Sequence, residues 1–303
     1  MSEARAAATS NRWLPAYLIL GFVWGCSFIF IKLGLEFLTP FGVAFVRCAL
    51  GALTLLAWAR YKGVSLPKSK KMIFHLWVVS LLLNVIPGVF FALAETEVTS
   101  VLAGIINAVT PLMTLLAIMV VTRDEKPKLY QVIGILIGFI GVLTVLGAWK
   151  GLGDNPLWAI LILLAAVTCY GFSFPYSRRF ILPQKLQPES IAAGQVTLGA
   201  LTLLPFFIYN GIDKYEYQPA PFLAMVALGV FGSGFAYIWN FKVMAIAGSA
   251  IASSVTYLTP VVAVIVGIIF LQESIYWYEP AGALIVLLGA AIGQNRIKFS
   301  AAK

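Results

Sequence analysis

Gly51-Ala52-Leu53-Thr54-Leu55-Leu56 recurs residue for residue as Gly199-Ala200-Leu201-Thr202-Leu203-Leu204. Working outward, Trp24-Gly25-Cys26-Ser27-Phe28 has a counterpart in Tyr170-Gly171-Phe172-Ser173-Phe174, and Thr110-Pro111 in Thr259-Pro260. Ser100 and Ala103 fall opposite Ser249 and Ala252. One such match means little where Leu, Ala and Gly abound. Several in the same order, at nearly one offset, mark a duplicated chain with halves at 1–150 and 151–303.

Each half contains five apolar segments of about the 20 residues a helix needs to cross a bilayer. They run near 13–35, 40–60, 72–94, 98–121 and 128–148, then 156–178, 188–211, 220–243, 247–271 and 276–295. Five is odd, so the second half enters from the opposite side. The expected fold is all-α: a polytopic membrane protein of ten transmembrane helices, arranged as two inverted five-helix repeats. That architecture places a solute cavity near the midplane, between equivalent helices.

Laid out this way, seventeen of the 21 Lys and Arg residues fall on one side. They cluster at Arg5 and Arg12, from Arg60 to Lys71, from Arg123 to Lys128, at Arg178, Arg179 and Lys185, at Lys242, and from Arg296 to Lys303. The opposite loops hold Lys150 and Lys214. The positive-inside rule then puts both termini in the cytoplasm. No cleavable signal pattern precedes the first segment, which is expected to stay as its own insertion signal.

A chain that is 61% apolar and 11% charged is not an ordinary soluble domain. Its net charge of +9 sits in short loops, where it orients helices and meets anionic lipid head groups rather than nucleic acid. Cys26, Cys48 and Cys169 form no CxxC or Cys/His pattern, and the single His75 cannot make a catalytic pair. No metal, cofactor or catalytic residue is expected. A membrane enzyme would need a nucleophile and base at depth, and a channel would need rings of like polar residues.

The repeat signatures resemble the drug/metabolite transporter superfamily, specifically its ten-helix EamA-type exporters. The resemblance spans about 13–296. It rests on Trp-Gly-x-Ser-Phe followed by Lys32, on Pro40 and Arg47, on the two Thr-Pro pairs, and on Ala250, Ser253, Thr259 and Pro260 followed by Glu273. Within that family the chain looks most like bacterial exporters of aromatic amino acids and of the dication paraquat. The resemblance implies a multi-pass protein of the bacterial inner membrane that exports small metabolites, amino acids including aromatic ones, by alternating access. Organic-cation efflux and nucleotide-sugar or phosphorylated-metabolite exchange are the alternatives.

Polar and aromatic side chains concentrate in segments one, three, four, six, eight and nine. Those expected to contact substrate are Trp24, Ser27, Asn84, Asn107, Tyr170 and Ser173, then Tyr237, Trp239, Asn240, Thr256 and Tyr257; Thr110 stands beside Asn107. Rings offer offset and edge contacts to aromatic solutes, and the amides are neutral hydrogen-bonding partners. Pro87, Pro111, Pro175 and Pro260 remove backbone donors inside spans and are expected to kink them. Gly88 and the group Gly229, Gly232 and Gly234 are flex-point candidates for gating.

Two buried charges are expected. Lys32 could pair with Glu36 at i+4 or snorkel outward. Arg47, about 10 Å past Pro40 along a helix, could hold a substrate carboxylate or cap exposed carbonyls, the structural role being favoured. All twelve carboxylates fall in loops or at helix ends, among them Glu95, Glu97, Glu273 and Glu279. With no acid in the core to exchange protons, a facilitator or exchanger is expected rather than a proton antiporter. Gly134-xxx-Gly138 and Gly289-xxx-Gly293 permit close packing, as scaffold or as a dimer face. The expected partners are the small-molecule substrate and membrane lipids, and the protein a monomer or weak homodimer.

Overall fold

The computed structural model describes residues 12–121, 128–145, 147–150, 156–213, 218–271 and 276–293. Arg5, Arg123, Lys126, Lys214, Glu273 and the basic residues after 293 lie outside these ranges. Among the described residues, six helical stretches are long and apolar enough to cross a membrane, and four shorter apolar stretches complete ten crossings.

The first half contains α1 (Leu14–Gly34), α2 (Pro40–Tyr61) and a third crossing made of α3 (Lys70–Ser80), a π-helical turn (Leu81–Val85) and α4 (Ile86–Ala94). The fourth crossing is split into α5 (Ser100–Asn107) and α6 (Thr110–Val121), and α7 (Leu129–Val145) is the fifth. The second half repeats this plan with α8 (Leu157–Phe180) and α9 (Pro188–Asn210), followed by α10 (Pro219–Ala227), a π-helical stretch (Leu228–Phe235) and α11 (Ala236–Ala247). Its fourth crossing is α12 (Ser249–Ser253), a 3-10 turn (Ser254–Tyr257) and α13 (Leu258–Leu271), and α14 (Tyr278–Gly293) is the last.

The expected prolines act in different ways. Pro87 opens α4 directly after the π turn, while Pro111 and Pro260 sit just past the breaks of the two fourth crossings. At Pro111 and Pro260 the missing N–H adds little to a break already present, whereas Pro87, inside a continuous crossing, withholds the i−4 donor from Leu83 O. Pro175 lies inside α8, and Pro205, which the sequence reading passed over, lies inside α9.

Large apolar side chains such as Phe22, Leu53, Met119 and Leu136 point outward, as a lipid-facing surface requires. At the charge-poor end the α1–α2 and α9–α10 corners are joined by main chain. Thr39 N donates to Gly211 O at 3.2 Å and Asp213 N to Phe37 O at 3.0 Å. Thr39 Oγ1 adds a bond to Asn210 O at 2.7 Å.

The two glycine motifs meet inside the chain. A Cβ on Gly134 would stand 2.6 Å from Gly289 O, and one on Gly289 would stand 2.7 Å from Gly134 O. The α7–α14 seam is therefore a contact between the halves, and this small-residue surface is not free to form a dimer face.

Candidate functional site: a ring-lined cavity between the repeats

A small cavity lies between the halves. From the first half, α1 supplies Trp24, Ser27, Phe28 and Ile31, and α2 supplies Arg47. The third and fourth crossings add Leu83, Phe91, Asn107 and Thr110. The second half contributes Tyr170 and Phe174 from α8, Tyr237 from α11 and Thr256 from the 3-10 turn. Among the described residues, α7, α9 and α14 give nothing to the wall, in keeping with α7 and α14 as scaffold.

The wall forms where helices depart from regular geometry. Leu83 is in the first π turn, Tyr237 follows the second, and Asn107, Thr110 and Thr256 stand at the breaks of the two fourth crossings. A π turn frees carbonyls that cannot be left bare in hydrocarbon. Here each half satisfies the other's. Tyr237 donates its hydroxyl to Leu83 O at 3.0 Å, in the first-half π turn. In return Trp24 Nε1 donates to Gly232 O at 3.1 Å, and Arg47 Nε to Ser233 Oγ at 2.9 Å, both in the second-half π stretch. The indole of Trp24 and the ring of Tyr237 meet edge-on at 6.0 Å. Asn107 Nδ2 reaches across to Thr259 Oγ1 at 3.4 Å.

Phe28, Phe91 and Tyr170 form a second group, with centroids 5.6 Å apart for the first two and 5.8 Å for the stacked Phe91–Tyr170 pair. The result is a mostly aromatic chamber with one permanent positive charge. Arg47 is 7% exposed and lines the cavity. Its one hydrogen bond among the described residues leaves through Nε, so the terminal guanidinium nitrogens have no acceptor among those residues.

Of the eleven residues expected to contact substrate, Trp24, Ser27, Asn107, Tyr170, Tyr237 and Thr256 come together on this wall. The other five lie off it. Asn84 and Asn240 are buried behind it, Ser173 bonds back to Tyr170 O, and Tyr257 gives its hydroxyl to Ile135 O beside Gly138. Trp239 packs on Phe235. In three cases the neighbouring residue holds the wall position: Leu83, Phe174 and Thr256. Phe28 and Phe174 entered only as matching members of the repeat, and Ile31 and Phe91 carried no signal, because an apolar residue facing a cavity reads like one facing lipid.

Two expectations about charge need correction. Lys32 is exposed rather than buried, and it neither pairs with Glu36 nor points away from the protein. Its ammonium caps the end of α4, donating to Glu95 O at 2.6 Å and Val98 O at 3.4 Å, where a cation suits the negative end of the helix. Glu95 does sit at a helix end, but it is 0% exposed. The premise that no acid is buried therefore fails, and with it the argument for a pure facilitator.

Tyr237→Phe removes one of the cross-half bonds while keeping the ring. Leaving Leu83 O unpaired is expected to cost about 1–3 kcal/mol, read as a lower thermal midpoint of the purified protein. An unchanged midpoint would mean that this bond is not formed.

The EamA-like transporter family model matches residues 11–147 and again 157–292. The chain belongs to the EamA-like transporter family. The Escherichia coli (strain K12) inner membrane transporter YedA is 30% identical over 257 residues, covering 83% of this chain and 80% of that protein. A transporter of Archaeoglobus fulgidus is 27% identical over 284 residues, with 88% and 92% covered. Protein PagO of Salmonella typhimurium is 24% identical over 289 residues, with 91% and 90% covered. A solved crystal structure matches with a TM-score of 0.73 at 20% identity, covering 93% of this EamA-family chain and 99% of the other, which speaks to the fold alone.

Proposed function

We propose that this EamA-family transporter exports aromatic amino acids and related small zwitterions across a bacterial inner membrane, by alternating access in exchange mode. The carrying observation is Arg47 on the wall of a ring-lined cavity, with its outer nitrogens unclaimed. A guanidinium fork suits a carboxylate, and the rings of Trp24, Phe28, Phe91, Tyr170, Phe174 and Tyr237 suit an aromatic side chain. The membrane assignment draws on YedA, named an inner membrane transporter. The basic loops support a cytoplasmic position for both termini; in this reading the end holding Thr39 and Glu95 faces outward.

The same wall disfavours the alternatives. Among its residues there is no carboxylate to neutralise a dication such as paraquat. One arginine is also too few for a phosphate-bearing solute. Counterflow of labelled amino acids into proteoliposomes, with paraquat as competitor, is the test. Phenylalanine, tyrosine or tryptophan should exchange and paraquat should compete weakly. Asn107→Ala should slow exchange several-fold, while Trp239→Ala, off the wall, should leave it within twofold. Competition by paraquat with no amino-acid flux would replace this reading with cation efflux.

A further inference from the structure

Glu95 is the first residue past the third crossing, one helical turn, or about 6 Å, beyond Phe91 on the cavity wall. Its Oε2 accepts a hydrogen bond from Ser100 Oγ at 3.3 Å, and its Oε1 is buried with no partner among the described residues. Lys32 lies over this corner but gives its ammonium to the carbonyls of residues 95 and 98, and no ion pair to the carboxylate forms. The other charged group whose field reaches Glu95 is Arg47 on α2. The stretch of α8 facing the corner, 157–168, holds no titratable side chain, nor does α13.

The second repeat carries the same corner without the acid. At its offsets Lys32 corresponds to Arg178, Val98 to Ala247, Ser100 to Ser249 and Glu95 to Met244. Arg178 lines a surface cavity with Met244 and Ala247, so the cation again stands by the helix end. Ser249 Oγ, which would be the donor to an acid there, is buried and unpartnered. A scaffold needs only the cation and the carbonyls. The carboxyl at 95 is an addition to one end of the molecule.

We propose that the Glu95 carboxyl is a proton-binding site built into the outer gate, taking up a proton from the outer solution as α1 closes over the α4–α5 corner and releasing it there when the corner opens. A neutral carboxyl can donate to Ser100 or rest with one oxygen unpaired, whereas a carboxylate so placed would be a buried, half-satisfied charge. Deprotonation would also draw Lys32 from the two carbonyls toward the anion and loosen the corner. The direction of linkage follows. Burial raises the Glu95 carboxyl well above its ordinary range, against the lowering pull of Ser100, Lys32 and Arg47. The closed gate therefore binds the proton more tightly than the open one, so closure is favoured as pH falls and opening as pH rises. Each unit between the two affinities is worth about tenfold in the gate equilibrium. The basic end, with Met244, has nothing to titrate at this position.

This rests on the transporter reading in two respects: the corner must open, and this end must face outward. Amide hydrogen exchange of segment 93–103 in the full-length protein, corrected for intrinsic rates, tests it from pH 5 to 8.5. The wild type should lose about tenfold or more in protection as pH rises, and Glu95→Gln should stay protected throughout. In counterflow the wild-type rate should rise with pH by a similar factor, with Glu95→Gln fixed near the low-pH rate. Glu95→Met, which imports the second repeat's own residue, serves if Glu95→Gln does not fold. Wild-type protection independent of pH, or a substituted protein that keeps the wild-type pH profile, would overturn the proposal. An absence of any amino-acid flux would sink the substrate reading instead, and hydrogen exchange would still decide the gate.

Discussion

Arg47→Met is expected to weaken binding of aromatic amino acids about a hundredfold, the loss of about 3 kcal/mol from a charge-assisted contact. Its folded yield should hardly change. Arg47 is buried with no acid in contact among the described residues, and its single bond runs to Ser233. Exchanging an unpaired buried charge for an apolar side chain of similar length relieves desolvation. Arg47→Lys keeps the charge but loses the fork and the Nε bond, so it should fall between. The decisive control is an amine analogue without the carboxylate: it should compete weakly with the wild type and no worse with Arg47→Met. Saturation binding measured by quenching of Trp24-region fluorescence, or by counterflow, reads both. Full affinity in Arg47→Met would remove the carboxylate from the cavity and return Arg47 to the structural role first favoured for it.

Gly289→Val should abolish most folded protein. A side chain there meets the main chain of Gly134 and Gly138, and main chain cannot escape by changing rotamer. Overpacking ordinarily costs about 1–3 kcal/mol, and this position belongs at or above the top of that range because α14 and α7 must part along their length. The mirror substitution, Gly134→Val, should behave alike. Gly88→Ala is the contrast, because its nearest neighbour is Ala44 Cβ at 3.5 Å, an ordinary contact. It should preserve the monodisperse peak and melting point on size exclusion. Slower counterflow by Gly88→Ala at normal stability would support Gly88 as a flex point. A monodisperse, stable Gly289→Val would mean that the seam tolerates separation.

Much of this was legible from residue spacing. Segment lengths, the Gly51 and Gly199 repeats and the paired Thr-Pro motifs carry the ten crossings and their duplication, because bilayer thickness and backbone satisfaction leave little choice. The small-residue motifs likewise foretold close packing. Finer placement was not legible, for a physical reason. In a helix apolar on every face no polar stripe marks the interior, so Phe28 and Phe91 look like Phe22, which faces outward. The π turns shift the register of everything after them. That shift explains why Tyr237 reaches the wall while Trp239 and Asn240 do not. Nor could depth along the chain show that Glu95, at a helix end, is roofed over by its neighbours.

The exchange of caps between the two π segments has a consequence for leakage. Trp24, Arg47 and Tyr237 each hold a group in the opposite half. A partial separation of the halves would strip these together and uncover the carbonyls of Leu83 and Gly232 and the Ser233 hydroxyl, which only entering water or a solute could then satisfy. In the transport cycle proposed above, parting of the halves at this level is therefore coupled to wetting of the seam. A carrier built so would be tight while dry: as long as these three bonds hold, ions and protons find no wet path along the seam they close.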